Sequence, residues 1–179
     1  MPATEIDTTP LFRLSRSVPV SAPAEQVYAL VSDLSRSGDW SPECRGGSWV
    51  SGGPGQLGSI FEGSNNRAAD VVGWAPVVRG DWTTRSEVID AQDGASFHWA
   101  MLNRAGDKQE SVWGFRLEPA AEGCLLTHEF QMGRPTEGIG EITSAMDAEQ
   151  RQRFFTEWGS KIDGDLELTV QRIKKLIEG

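Results

Sequence analysis

Four alternating runs between residues 82 and 132, followed by a switch to helical spacing, constrain this chain more than any other feature. Trp82, Thr84, Ser86 and Val88 share one face, as do Phe97, Trp99 and Met101. Trp113, Phe115 and Leu117 repeat the pattern, and Leu126, His128, Phe130 and Met132 repeat it again. A period of two sustained in this way marks strands with one buried and one wet face. Turn chemistry separates them at Asp93-Gly94, Ala105-Gly106-Asp107 and Glu122-Gly123, so the runs read as an antiparallel meander. From about Thr143 to Glu178 the apolar residues Phe155, Trp158, Ile162, Leu166, Val170 and Ile173 recur every three or four positions. This predicts one long amphipathic helix. A sheet with one apolar face needs a cover, and this helix is the element large enough to provide it. Gly159 and Gly164 interrupt the helix, either to pack closely on the sheet or to bend over a cavity.

The first third supplies smaller pieces. Phe12, Leu14, Arg16, Val18 and Val20 alternate as a first strand, placed at a sheet edge by Pro19. Pro23 and Glu25 then open a helix over about 23–33, and a second helical turn follows near Leu34–Gly38. Glycines bracket two short strands near Ser48–Val50 and Gly58–Gly63. Residues 64–81 read as a long loop with an apolar centre at Val71–Val78, a lid over a pocket or else a sticky surface for a partner protein. Residues 1–10 read as a flexible tail and 11–179 as a single domain with an internal cavity. The fold class is α+β: a curved antiparallel sheet of six to seven strands around a long C-terminal helix, with two short helices after the first strand.

Composition narrows the function. At 179 residues the chain can bury a core without metal or disulfide staples. Seventeen Lys and Arg against 26 Asp and Glu give a net charge of −9, which argues against nucleic acid as a partner. Cys44 and Cys124 form no CxxC and read as free thiols in a reducing compartment. The sequence has no apolar run of about 18 residues to insert in a membrane and no signal-peptide pattern at Met1–Glu5, so the expected location is the cytoplasm. There is no GxSxG motif, and the two histidines lack HxH or HxxxH spacing. Neither a serine-hydrolase site nor a metal site is expected. The glycine cluster at 46–58 has no GxxxxGKS spacing and leads into no helix, so it is not expected to bind phosphate.

The order of elements resembles the helix-grip fold of the START and polyketide-cyclase (SRPBCC) superfamily over about residues 12–178. The resemblance rests on Val18-Pro-Val20-Ser-Ala-Pro23-Ala-Glu25-Gln-Val27-Tyr28, on Val31-Ser-Asp33 and on Gly38-Asp39-Trp40-Ser41-Pro42-Glu43. The closing Val170-Gln-Arg172-Ile173-Lys174-Lys175-Leu176-Ile177-Glu178 is similar to the end of bacterial cyclases. The longer 64–81 loop departs from the pattern. The resemblance implies a deep, largely apolar pocket between sheet and helix. An apolar small-molecule partner, no cofactor, and a monomer or homodimer are expected. The resemblance also implies two possible activities: cyclisation and dehydration of an aromatic or polyketide-like chain, or non-catalytic carriage of a small molecule or lipid.

Several residues fit such a pocket. Trp82, Trp99, Trp113 and Trp158 fall on inward faces and offer flat apolar surfaces with a polar N–H; they can equally be core packing. Trp40 is expected on a loop at the mouth. His128, on an apolar strand face, can act as general acid or base, or can be a core histidine satisfied by one hydrogen bond. His98 alternates with Phe97 and Trp99 and points outward. Glu43 can reach the mouth as an acid or base, or bond a turn fixed by Pro42. Asn65 and Arg67 are expected in the loop after the third strand, where Arg67 can stabilise developing negative charge. Thr84 and Ser86 can bond ligand hydroxyls, while Arg85 and Glu87 are expected to form an outward cross-strand pair.

Overall fold

A computed structural model describes residues 10–179. The expected tail at 1–10 therefore lies outside the described residues, Pro10 excepted. The chain runs through β1 (Phe12–Val20), α1 (Ala24–Val31), a 3-10 turn (Leu34–Asp39), β2 (Cys44–Ser51) and β3 (Ile60–Arg67). It continues through β4 (Gly80–Gln92), β5 (Ser96–Leu102), β6 (Lys108–Ala120), β7 (Gly123–Met132), α2 (Glu137–Ser144) and α3 (Ala148–Glu178). The seven strands form one sheet in the order β1-β7-β6-β5-β4-β3-β2. Every neighbouring pair is antiparallel, and β1 returns to pair with β7 from Phe12 opposite Met132 to Val20 opposite Cys124. Pro19 thus sits on an edge strand, where its missing N–H costs no ladder bond.

The long helix begins later than its period suggests. Residues 137–144 form the separate helix α2. Asp147 then starts α3: its side chain accepts from Gln150 N, and the Gln150 side chain accepts from Asp147 N. This reciprocal cap satisfies two donors that a continuous helix would satisfy internally, so the helical spacing reads across a break it does not register. Gly159 packs where a Cβ would come within 2.8 Å of Phe12 on β1. Gly164 faces open space.

Two more boundaries differ from the sequence reading. β3 extends to Arg67 and β4 begins at Gly80, so Asn65 and Arg67 are strand residues and the loop shrinks to 68–79. Pairing of Asn65 with Trp82 and of Arg67 with Gly80 carries the ladder into polar residues; tertiary pairing overrides weak β propensity there. The run Gly53-Pro54-Gly55-Gln56-Leu57-Gly58 has a G-x-G-x-x-G spacing, but it joins two antiparallel strands. No helix N-terminus stands there to receive a phosphate.

The buried apolar residues fall into two clusters. One joins α1 and the C-terminal half of α3 to the sheet through Val27, Val31, Phe97, Phe115, Leu126, Val170 and Ile173. The other joins the first half of α3 to the sheet and the 68–79 segment through Phe130, Phe154, Trp158, Ile162, Val77 and Ala75. Burial of one such large side chain contributes about 2 kcal/mol. α3 spans both clusters with buried residues Phe154, Trp158, Ile162, Leu166, Val170 and Ile173. Among the described residues, no helix is long and apolar enough to cross a membrane.

Candidate functional site

Residues from both clusters line a cavity of about 460 Å³ between the sheet, α3, α2 and the 68–79 segment. That volume suits a small organic ligand. Trp40, Trp82, Trp99, Trp113 and Trp158 all reach its wall. Trp40 is not at the mouth: it closes the 3-10 turn, is 3 % exposed, and packs edge-on to Phe115 and His128 at 5.3 and 6.3 Å. Its indole N–H is buried without a partner. The turn buries Trp40 because Asp33 pins it, accepting from Ser35 N, Ser35 Oγ and Trp49 Nε1.

His128 defines the aromatic end. β7 points it inward, 3 % exposed, stacked on Phe115 at 4.1 Å and flanked by Trp113 at 5.9 Å and Trp99 at 6.3 Å. Nδ1 lies 2.8 Å from the Gly114 carbonyl. A carbonyl only accepts, so Nδ1 carries the proton and Nε2 keeps the lone pair. Burial pushes the pKa down from 6.5 to about 4, against the raising effects of the Gly114 bond and Glu129. The imidazole is therefore neutral at neutral pH and can accept, not donate, through Nε2.

Four charged groups make the other end. The Arg67 guanidinium donates two bonds to Glu43, Nε to Oε1 at 2.8 Å and Nη2 to Oε2 at 3.0 Å, and Nη1 donates to Val78 O at 3.0 Å. It lies between the rings of Trp82 and Trp158, 4.4 and 4.8 Å from their centroids. Cation–π contact of this kind holds a planar cation in place. Lys161 on α3 bonds Glu43 Oε1 and lies 2.5 Å from Asp165 Oδ2. Burial, the largest influence on Glu43, works to raise its pKa, but Arg67 and Lys161 together hold it below the ordinary value. Burial also leads at Asp165 and there prevails: its pKa is raised, Glu43 adding to the effect while Lys161 and Arg67 oppose it.

Glu43 therefore neither bonds a backbone turn nor stands free; it is the hub of this cluster. Asn65 is buried and donates to Thr84 Oγ1 at 3.1 Å and to the Gly63 carbonyl at 3.3 Å, with Ser86 buried further along the same wall. Arg85 and Glu87 do face outward but do not pair with each other. They share one face of one strand, and each reaches a neighbour: Arg85 to Glu62 and Glu87 to Lys108.

The 68–79 segment is a compact cover. The Arg79 guanidinium donates to the carbonyls of Val71, Val72, Ala75 and Val77. Val72 has φ 42°, a strained conformation for a β-branched residue that this clamp helps hold. Trp74 donates to Glu157 Oε2 at 2.5 Å and lies under Arg153 at 4.4 Å, which fastens the segment to α3. Val77 and Val78 present their side to the cavity.

Sequence reasoning missed Lys161 and Asp165. Their signal is spacing: Trp158, Lys161, Asp165 and Thr169 follow one another by three or four residues and share the cavity-facing side of α3. Reading only the apolar stripe hides them. His98, set aside as outward, does lie on the outer face, but it is clamped there: Nδ1 is 2.7 Å from Asp90 and Nε2 is 2.6 Å from Glu129. Cys44 and Cys124 are free thiols. Among the described residues, no group of three or more His, Cys, Asp or Glu side chains is placed to hold a metal.

A seven-stranded antiparallel sheet curled against one long C-terminal helix, with short helices after the first strand and a cavity in the grip, defines a helix-grip protein. The chain belongs to the family described as "Polyketide cyclase / dehydrase and lipid transport", which matches residues 12–178. No curated protein matches the sequence. Among solved structures, the Polyketide_cyc-like protein Cgl2372 from Corynebacterium glutamicum is similar at 27 % identity and a TM-score of 0.58, over 99 % of this chain and 94 % of that one. The di-domain ARO/CYC BexL from the BE-7585A biosynthetic pathway shares the fold at 14 % identity and a TM-score of 0.65, over 94 % of this chain and 50 % of that one. The di-domain ARO/CYC StfQ from the steffimycin biosynthetic pathway does so at 10 % identity and a TM-score of 0.65, over 93 % of this chain and 50 % of that one.

Proposed function

We propose that the cavity binds an aromatic or polyketide-like small molecule and assists its cyclisation and dehydration. The observation that carries this reading is the presence, on one cavity wall, of a neutral imidazole at one end and a guanidinium with unused N–H donors at the other. A methylene between two carbonyls is acidic enough for a weak base. Nε2 of His128 takes its proton, while Arg67, at the far end, holds a carbonyl oxygen further along the same chain. The enolate carbon attacks a second carbonyl of the same chain, which the indole faces of Trp99 and Trp113 hold folded. The His128 imidazolium then returns its proton to the new alkoxide, and loss of water follows.

A second reading, a carrier without catalysis, is favoured by a specific observation: Glu43 already holds both Arg67 and Lys161, and aromatic rings surround the imidazole on several sides. The two readings separate experimentally. The purified protein is incubated with a synthetic chain bearing alternating ketones and followed by tryptophan fluorescence and native mass spectrometry. Quenching followed by loss of one water from the bound mass, slowed at least tenfold in His128→Phe, supports catalysis. Quenching with an unchanged ligand mass supports the carrier. Absence of quenching overturns both.

A further inference from the structure

The two carboxylates that touch Lys161 are not equivalent. Glu43 is held at both oxygens, by the fork of Arg67 and by Lys161. Asp165 touches Lys161 through Oδ2 alone, and no second cation pairs with it among the described residues. Both face the cavity, as do Arg67 and Lys161. With all four groups ionised the cluster is neutral. With Asp165 protonated it carries one positive charge, beside the flat faces of Trp82 and Trp158. Lys161 itself lies 5.3 Å from the Trp158 ring centroid, so a group bound to it sits next to an aromatic surface.

We infer that Asp165 is an exchangeable partner of Lys161: an aromatic ligand bearing one negative charge takes its place on the ammonium, and the displaced Asp165 carboxylate takes up one proton from solvent. This rests on the reading that the cavity binds aromatic molecules, and it names their class as monoanions such as carboxylates, phenolates or enolates. The charge balance closes: one anion and one proton enter together, and the cluster's net charge plus ligand is zero before and after. The groups that act on Asp165 are Lys161 on its own helix, Glu43 from the segment before β2 and Arg67 from β3. Burial and Glu43 favour the protonated form, while Lys161 and Arg67 oppose it; removing Lys161 from its side by a competing anion strips away the stronger opposition.

The test uses the full chain with 2-naphthoate, and with 2-naphthamide as its neutral counterpart. Binding is measured by titration calorimetry from about pH 6 to about pH 8.5, where a naphthoic acid stays ionised, in buffers of different ionisation enthalpy. The expected result is at least a tenfold preference for naphthoate at the low end. Proton uptake should approach one per ligand at the high end, with naphthoate affinity falling by up to about tenfold per pH unit there. In Asp165→Asn the naphthoate affinity should become flat with pH and the proton uptake vanish. The proton count on the unmodified protein stands by itself if that variant does not fold. Absence of proton uptake with naphthoate, or equal binding of the two probes, overturns the inference and leaves the cavity reading intact. Binding of neither probe overturns both.

Discussion

Two histidines stand on opposite faces of the same sheet and behave in opposite ways. His128, on the inner face, is surrounded by aromatic rings and one carbonyl. His98, on the outer face, lies between two carboxylates, with Arg116 holding Glu129 from the other side at 2.9 Å. Burial lowers the pKa of both. It prevails at His128, which falls to about 4. At His98 the hydrogen bonds and charges of Glu129 and Asp90 together outweigh it and hold the pKa above its ordinary value. The difference lies in both depth and partners: His128 is the more deeply buried and has only a carbonyl dipole to offset desolvation, while His98 has two carboxylates. Gly114 serves both. Its carbonyl receives His128, and the space where its Cβ would stand, 1.9 Å from His98 Cδ2, is filled by the His98 ring.

The largest effect expected from this contrast is acid sensitivity from the inner face. The folded pKa of His128 lies below the unfolded value, so the unfolded state binds a proton first as pH falls. Stability is then lost between about pH 6.5 and pH 4, by about 3 kcal/mol in all. Urea denaturation of the protein and of His128→Phe at pH 7 and pH 4.5 should show a shallower acid loss in the variant. Parallel losses would break the contrast. Next comes Gly114→Ala, which must displace the His98 ring and should cost about 2 kcal/mol. An NMR titration of the variant should place His98 nearer its ordinary pKa; an unmoved His98 would show that the clamp tolerates the methyl group. The smallest effect belongs to His98→Asn. Because the folded pKa of His98 is raised, its stabilisation is full below about pH 6.5 and fades as pH rises through the folded value. A loss of about 1 kcal/mol at pH 6 should shrink at pH 9; an equal loss at both would assign the effect to packing.

Much of the fold is legible in the sequence because period two and period 3.6 survive wherever one face is buried. The four runs of the meander, the edge strand β1 and the grip of α3 all follow that rule. The pattern fails where polar groups face inward. Asn65 and Arg67 look like loop residues because their partners, Thr84 and Glu43, lie across strand pairings or far along the chain. Lys161 and Asp165 look like a solvated helix face for the same reason. His128 was legible because an alternating strand fixes direction. Its tautomer was not, since the Gly114 carbonyl comes from a neighbouring strand.

The Arg79 clamp gives the cover a property of its own. Four carbonyls converge on one guanidinium, so the segment carries its own scaffold. It is fastened to the rest by burial of Ala75 and Val77 in the core, by the Arg67 bond to Val78 O, and by Trp74 through Glu157 and Arg153. Of its inner lining, Val77 meets the clamp only through its carbonyl and Val78 meets Arg67 only through its own, so either side chain can change size without removing a hydrogen bond. The width of that part of the cavity wall is thereby separable from the hydrogen bonds that hold the segment, and the two can be altered one at a time.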